Sequence, residues 1–323
     1  MSTIHFLNVK EGDCTWIKHN SGRISLIDVF NASKVEEVKK EAIFEAAQRV
    51  RGNFGQKNYP VNPIQYLKDF NIQDIFRFIL THPDMDHMGG IKDLFETFSV
   101  INFWDTANNK EKPDFTDGQH NEEDWDFYQS VRNKKIEDVT VLNLYSGATG
   151  QFYNQDGSNN PGGDGLHILA PTIDLVSQAN ESGDYNDCSY VLLYKTAGRK
   201  IVFGGDSHDK TWEHILSEHE NSVKDVDVLF APHHGRDSGR SYEFLDVLKP
   251  KITYFGNAKS EHLAYKSWYN RGLEYITNNQ ANCIVTDISI GIDIYVTYET
   301  FARAYNSDTF YNNTFNAWYI KTL

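Results

Sequence analysis

Cysteine is scarce in this chain. Cys14, Cys188 and Cys283 are the only three among 323 residues, far apart and with no CxxC pair. That pattern argues against a zinc ribbon or a disulfide framework and fits a reducing compartment, so a cytoplasmic location is expected. Each cysteine sits in an apolar, strand-like stretch and reads as a small buried hydrophobe. Basic charge is also short: 31 Lys and Arg face 45 Asp and Glu, a formal charge of −14. A protein that coats nucleic acid through blanket electrostatics usually carries the opposite sign. An enzyme escapes that objection, because divalent cations supply positive charge where a phosphate binds.

Long apolar runs are missing as well. No window approaches the roughly 18 uninterrupted apolar residues of a membrane helix. The opening "MSTIHFLNVKEGD" has neither the basic start nor the apolar core of a signal peptide. A soluble protein with no membrane contact is expected. Nucleophile motifs are absent too, since "GDS" and "NDCS" lack the glycine-flanked elbow of serine hydrolases. The run "NQDGSNNPGGDG" has glycines without the strand–turn–helix frame or the lysine of a phosphate loop.

What the chain does have is alternating strand and helix patterns. "IHFLNVK", "CTWIKH" and "RISLIDVF" alternate as strands. "SKVEEVKKEAIFEAAQRVRGN" predicts a helix with Ser33 as N-cap and Glu36 completing a capping box. A short helix "NPIQYLKDF" precedes the buried strand "DIFRFILTH", and the helix "IKDLFETF" precedes the strand "VINFWDT". The polar region 108–160 carries one helix pattern, "EEDWDFYQSVRNKK", and one strand, "VTVLNLY". Strands then recur at "LHILAP", "CSYVLLYKT", "RKIVFGGD", "DVLFAPHHG", "ITYFG", "ANCIVTD" and "GIDIYVTYE", with helices at "KTWEHILSEHE" and "LAYKSWYNRG". There is no fixed-period repeat and no linker long enough to separate a pair of domains, so one compact α/β unit is expected.

The densest chemistry is in "LTHPDMDHMGG", Leu80 to Gly90, where two histidines and two aspartates fall within six residues. Imidazole and carboxylate are the usual nitrogen and oxygen donors for zinc, and carboxylate also suits manganese or magnesium. A polar turn capping the next helix would need one acidic residue, not four ligand-type side chains. Two later strands also end in ligand-type residues: "KIVFGGDS" at Asp206 and "DVLFAPHHG" at His233 and His234. Asp206 alone would pass for a helix N-cap. Three such strand ends together point to one crevice, because strand termini of an α/β sheet converge where ligands bind.

The order "HPDMDHMGG", "GGD", "PHHG" resembles the metallo-β-lactamase superfamily, and most closely the hydrolase domain of ComEC-type DNA-uptake proteins. "FLNVKEGDCTWI", "LIDV" and "NDCSYVLLY" add to the likeness, which runs from about Ile4 to Val296 and skips the stretch Asn108–Asn160. The resemblance implies an αβ/βα four-layer sandwich over residues 1–300, with 108–160 as an insertion or loop region. The aromatic tail 301–323 is expected to pack on the domain, with docking of a partner as the other reading.

The resemblance also implies a site for two divalent metal ions, zinc or manganese. In it His82 and Asp84 hold the first ion and Asp86 and His87 the second. Asp206 bridges the two, and a histidine of "PHHG" closes the second position. Spacing leaves His233 and His234 open, with a lean to His233. Asp86 is further expected to orient the attacking water. The chain departs from the widespread pattern twice: Asp84 stands where most members have a histidine, and Asn186 or Asp187 occupies the neighbourhood of another. Fewer imidazoles and more oxygens shift the preference toward manganese or another hard cation.

Further candidates surround these ligands. Asp13 and Asp28 either support the site or cap turns. His208 either protonates a leaving group or is a solvated helix-start residue. Arg236, Ser238 and Arg240 are candidates for holding a phosphate, as loop residues beside "PHHG". His214 and His219 read as surface, His167 as core and His262 as a weak substrate contact. Two cations about 3.5–4 Å apart suit attack by activated water on phosphorus or on a strained carbonyl. A phosphodiester substrate, whether nucleic acid or cyclic nucleotide, is the first expectation. An ester, lactone or thioester hydrolase and a non-catalytic metal-binding module are the alternatives.

Overall fold

The structure is a computed structural model in which residues 1–34, 54–155, 163–258 and 262–323 are described. Beyond Lys34, the helix expected over 33–53 lies outside the described residues.

The amino-terminal strands β1 (Ser2–Phe6), β2 (Thr15–Lys18) and β3 (Ile24–Ile27) form an antiparallel meander. β4 (Asp74–Ile79), β5 (Ser99–Trp104) and β6 (Thr140–Leu142) continue the same sheet in parallel. A second sheet takes over with β7 (Leu166–Ala170), β8 (Val191–Thr196) and β9 (Arg199–Phe203), which are antiparallel. β10 (Val228–Phe230), β11 (Ile252–Phe255) and β12 (Tyr275–Thr277) extend it in parallel. The chain then returns to the first sheet. β13 (Ile284–Ile288) pairs with β1 and with β14 (Ile292–Val296). β15 (Tyr311–Asn312) and β16 (Ala317–Thr322) add the edge beyond β14. The first sheet therefore reads β15-β16-β14-β13-β1-β2-β3-β4-β5-β6 and the second β12-β11-β10-β9-β8-β7.

Strand alternation makes the layers. In β8, Leu192 and Tyr194 face a core shared with Ile4, Ile17 and Trp104 of the first sheet, while Val191 and Leu193 face the other way. β9 does the same, with Ile201 and Phe203 inward and Val202 outward. A strand buried on both faces needs apolar residues at every position, which is why these runs look continuous rather than alternating.

The outer face of the first sheet is covered by α1 (Pro63–Asp69), α2 (Ile91–Thr97) and α3 (Glu122–Arg132), through Ile64, Leu67, Leu94 and Trp125. The helix α4 (Ile173–Ser182) follows β7, starting at a Thr172 side chain that accepts the Leu175 amide. The outer face of the second sheet is covered by α5 (Asp209–Val223), α6 (Phe244–Leu248) and α7 (Tyr265–Tyr269), through Trp212, Ile215, Leu248 and Trp268. The result is helix, sheet, sheet, helix: the four-layer αβ/βα sandwich.

Two short elements have little sequence signal. β12 and α8 (Asn278–Ala281) span only a few residues each, and α8 is fixed by a reciprocal capping box between Thr277 and Gln280. The tail from 299 on forms α9 (Glu299–Tyr305), β15 and β16, and its Phe301, Ala302 and Ile320 enter the inter-sheet core. No described helix is long and apolar enough to cross a membrane.

Candidate metal centre

The carboxyl ends of β3, β4, β9 and β10 lie at one rim of the sandwich, and each delivers a share of a polar cluster. β4 runs into Thr81 and His82. A tight turn over Met85–His87 then brings Asp84, Asp86 and His87 back to the same point. β9 ends in a glycine pair before Asp206. β10 ends in the turn Pro232–Gly235, where His233 and His234 take φ values of 53° and 56°. Two successive non-glycine residues in the left-handed region cost about 1–2 kcal/mol each. Such strain persists where the surrounding structure fixes it, commonly at a functional site.

Three imidazole Nε2 atoms, those of His82, His87 and His234, are buried at this rim and lack any hydrogen-bond partner among the described residues, as does Asp206 Oδ1. Buried polar atoms are normally paired, so four orphaned donor atoms at one point fit a site built for a cation. Their spacings are close to one another. His87 Nε2 lies 3.5 Å from Asp206 Oδ1, and His234 Nε2 lies 3.4 Å from Asp86 Oδ2 and 3.6 Å from Asp206 Oδ2. His82 Nε2 is 3.7 Å from Asp84 Oδ2 and 3.9 Å from Asp206 Oδ2. Ligands about 2.1 Å from a tetrahedral zinc stand about 3.4 Å apart. The donor set therefore fits divalent cations. His82, His87 and Asp206 can gather ligand atoms about one point, and Asp86, His87 and His234 about another.

The supporting hydrogen bonds set the tautomers. Asp28 accepts from the Thr81 amide and the Thr81 hydroxyl, each at 2.7 Å, and from His87 Nδ1, also at 2.7 Å. With its only hydrogen given to Asp28, the Thr81 hydroxyl accepts from His82 Nδ1 at 3.1 Å. Both rings then turn a bare Nε2 lone pair toward the cluster, the arrangement metal-binding histidines require. His234 Nδ1 faces Asp13 Oδ1 at 3.0 Å. Asp28 and Asp13 thus stand directly behind the candidate ligands.

Electrostatics point the same way. Burial disfavours the charged form of His234, yet Asp13 and Asp206 outweigh it and push its pKa up to about 10. Burial also opposes charge on His87, where Asp206, Asp28 and Asp86 prevail and raise the pKa. Burial would raise Asp86 and Asp206, but the neighbouring imidazoles hold both well below the carboxylate range. The cluster is a concentration of negative charge in need of cations.

The "PHHG" histidines separate in space. Spacing leans toward His233 as the ligand, but it is His234 that is fully buried among Asp13, Asp86 and Asp206. His233 is 18% exposed at its side chain, with Nε2 3.7 Å from Asp206 Oδ2. Its burial, opposed by Asp206, lowers its pKa to about 4. Arg240, a phosphate-holding candidate from the sequence, turns one nitrogen inward, while its Nε and Nη1 have no hydrogen-bond partner among the described residues. It is 8% exposed, and Nη2 donates to His233 Nδ1 at 2.9 Å and to the Asp206 carbonyl at 3.3 Å. Ser238 Oγ likewise sits 2.8 Å from His233 Nδ1.

Over the cluster opens a cavity of about 610 Å³ whose lining includes Asp84, Asp86, Asn186, Asp206, His233 and Arg236. Lys10, Phe30 and His120 also line it, none of them singled out as a site residue by the sequence. Lys110, from the polar stretch outside the family resemblance, places its ammonium on Asp84. His208 lies off the main cluster, with Nδ1 3.4 Å from Asp184 and 3.8 Å from Asp187. His214 and His219 share the Ser146 hydroxyl at 3.0 and 2.7 Å rather than facing open solvent. His167 is half-buried on β7, and His262 is exposed.

No family model matches the chain. ComE operon protein 3 of Bacillus subtilis is 22% identical over 289 residues, which are 88% of this chain and 32% of that protein, so the chain spans about a third of that relative. Among solved structures, Tm1679, described as a metal-dependent hydrolase of the beta-lactamase superfamily, gives a TM-score of 0.49 at 11% identity, covering 86% of this chain and 96% of that one. Igni18, a metallo hydrolase of Ignicoccus hospitalis, gives 0.47 at 12% identity over 89% of this chain and all of the other. CmlA of Streptomyces venezuelae, a diiron beta-hydroxylase, also gives 0.47 at 12% identity, over 89% of this chain and 54% of that one. Two facing sheets with helices outside, and ligand-type side chains gathered at the strand ends, make this chain a metallo-β-lactamase-fold protein, as the order of its motifs implies.

Proposed function

We propose that the protein is a metal-dependent hydrolase that cleaves phosphodiesters with activated water. One observation carries this reading: four orphaned ligand-type atoms, the Nε2 atoms of His82, His87 and His234 and Asp206 Oδ1, are buried together beside Asp84, Asp86 and Asp206, which line a polar cavity. His82 and Asp84 would hold one cation and Asp86, His87 and His234 the other, with Asp206 shared between them. Cations bound there would activate water at neutral pH and offset the charge that builds up on the departing oxygen. Asp84 in place of a nitrogen ligand makes the first position oxygen-rich and favours manganese over zinc.

The chain's own residues supply the rest. Asp86 Oδ2 sits at the cavity wall, where it can accept a hydrogen from the attacking water. Lys10 and Arg236 put positive charge on the lining of a protein whose net charge is −14, which favours a compact anion over a long duplex. The cavity volume suits a ligand of mononucleotide to dinucleotide size. The cysteines are poorly suited to act as nucleophiles: Cys14, Cys188 and Cys283 are all buried, and burial raises the pKa of each thiol.

The test is hydrolysis of bis(p-nitrophenyl) phosphate, of short single-stranded DNA and of a simple lactone, with manganese or zinc added. Cation-dependent cleavage of the phosphodiesters, lost in Asp206→Asn, supports the proposal. Lactone cleavage alone would move the protein to the carboxylic-ester class, and no cleavage with any cation would remove the hydrolase reading.

A further inference from the structure

The histidines of the cluster differ in what stands behind their rings. His82 Nδ1 meets the Thr81 hydroxyl oxygen, and His87 Nδ1 meets the Asp28 carboxylate. His234 Nδ1 faces the Asp13 carboxylate. Hydrogen bonds to acceptors keep the hydrogen of the His82 and His87 rings on Nδ1 and leave Nε2 as a lone pair, and the carboxylate 3.0 Å from His234 Nδ1, though not in hydrogen-bond geometry, favours the same tautomer there. His233 is the exception. Its Nδ1 lies 2.9 Å from Arg240 Nη2, and a guanidinium only donates. Nδ1 must therefore accept, and in a neutral ring the hydrogen then sits on Nε2.

That hydrogen is aimed at the reaction space. His233 lines the cavity, and its Nε2 stands 3.7 Å from the shared carboxylate oxygen of Asp206. An Nε2 that carries hydrogen has no lone pair for a cation. Among the described residues, His233 is also absent from the groups of side chains that can gather ligand atoms about one point, whereas His234 appears in two of them.

Arg240 is built for this placement. It is buried, bonded at once to the His233 ring and to the Asp206 main-chain carbonyl, and so ties the ring to the strand end that carries the shared carboxylate. Ser238 Oγ reaches the same ring nitrogen at 2.8 Å. A ring needed only as a ligand would face an acceptor at Nδ1, as His82 and His87 do through hydrogen bonds and His234 does across an ion-pair distance.

We propose that His233 is not a metal ligand but a fixed Nε2–H donor to an anionic oxygen of the substrate, with Arg240 as the positioning residue that sets its tautomer. The proposal rests on the phosphodiester reading for the identity of that oxygen. Preorganised donors of this kind stabilise charge as it develops, and loss of one costs about 10²–10³ in kcat. The companion histidine, His234, is left as the ligand, which separates the two members of "PHHG" by chemistry.

The experiment compares His233→Ala, His233→Gln and His234→Ala with wild-type protein loaded with manganese and dialysed. His233→Ala is expected to keep the wild-type metal content while kcat for bis(p-nitrophenyl) phosphate falls roughly 100-fold. His233→Gln, whose amide can place an N–H near the Nε2 position, is expected to recover some of that loss. His234→Ala is expected to lose a metal equivalent. Loss of metal from His233→Ala, or full kcat in that variant, overturns the donor role. ¹⁵N–¹H correlation spectra of wild-type histidine side chains give a check that needs no variant: a hydrogen on His233 Nδ1 instead of Nε2 overturns the proposal. Inactivity of the wild type toward every phosphodiester, with metal content and tautomer as expected, overturns the choice of substrate oxygen and, separately, the phosphodiester reading.

Discussion

At the scale of single residues, the site depends on which atom of each ring is left bare. Asp28 collects three donors, from the Thr81 amide, the Thr81 hydroxyl and His87 Nδ1. Asparagine in its place would tolerate the left-handed backbone there (φ 55°) but accept through one atom only. Asp28→Asn is therefore expected to fold and to bind metal about 10–100-fold more weakly, read by titration with manganese or zinc. Retention of wild-type affinity would show that the His87 ring needs no anchor. Lys110 acts in the opposite sense, since its ammonium occupies the Asp84 carboxylate that the first cation would use. Lys110→Ala is expected to tighten the weaker of two metal-binding steps about 3–10-fold, in line with the roughly 1 kcal/mol of a partly exposed ion pair. Unchanged or weaker binding would mean that Lys110 screens the site instead of competing for it. The candidate ligands are legible in the sequence because they crowd one motif and two strand ends. Lys110, Lys10 and His120 are not, because they reach the site from loops with no periodicity to announce them.

At the scale of elements, the two strand-to-turn corners of the first sheet must come close. A Cβ at Gly12 would stand 2.0 Å from the Asp86 carbonyl oxygen and 2.5 Å from Phe30 Cβ. Gly90, at φ 89°, would place one 2.2 Å from the Ala32 carbonyl oxygen. Gly12→Ala therefore has to push the Asp86 turn away, and an overpacking cost of about 1–3 kcal/mol in urea unfolding is expected. Metal affinity is expected to fall with it, because Asp86 moves with the turn. Weakened folding with unchanged metal binding would show that Asp86 is held from elsewhere. Elements buried on both faces, such as β8 and β9, are readable from their apolar runs and bounding turns. β12, β15 and α8 are not, because two to four residues are too few for a period to register. In sequence the tail reads as an aromatic appendage. Its strand β16 pairs with β14 through a register shift between Ile294 and Tyr295, a long-range match that no local pattern encodes.

At the scale of the whole molecule, the two sheets are joined by buried charge as well as by apolar packing. Arg77 on β4 donates to Asp164, just before β7, at 2.6 Å, with both side chains out of solvent. Arg23 adds a second guanidinium on the same carboxylate. Asp164→Asn would leave Arg77 buried and uncompensated, and a loss of about 3–5 kcal/mol in denaturant unfolding is expected. A loss below about 1 kcal/mol, the range of exposed pairs, would mean that solvent reaches the pair. Asp105 titrates against the fold in the opposite direction. Burial raises its pKa to about 6, and Arg132 and the Tyr128 hydroxyl offset that only incompletely. An unfolded Asp titrates near ~3.9, so the folded state holds the proton more tightly. The resulting stability is full below pH ~4 and is lost as pH rises through about 6, in total roughly 3 kcal/mol. The stability of wild type relative to Asp105→Asn, measured by urea unfolding, is therefore expected to fall by about that amount between roughly pH 4 and pH 7. A flat difference across that window would mean that Arg132, 3.2 Å away, keeps Asp105 ionised throughout.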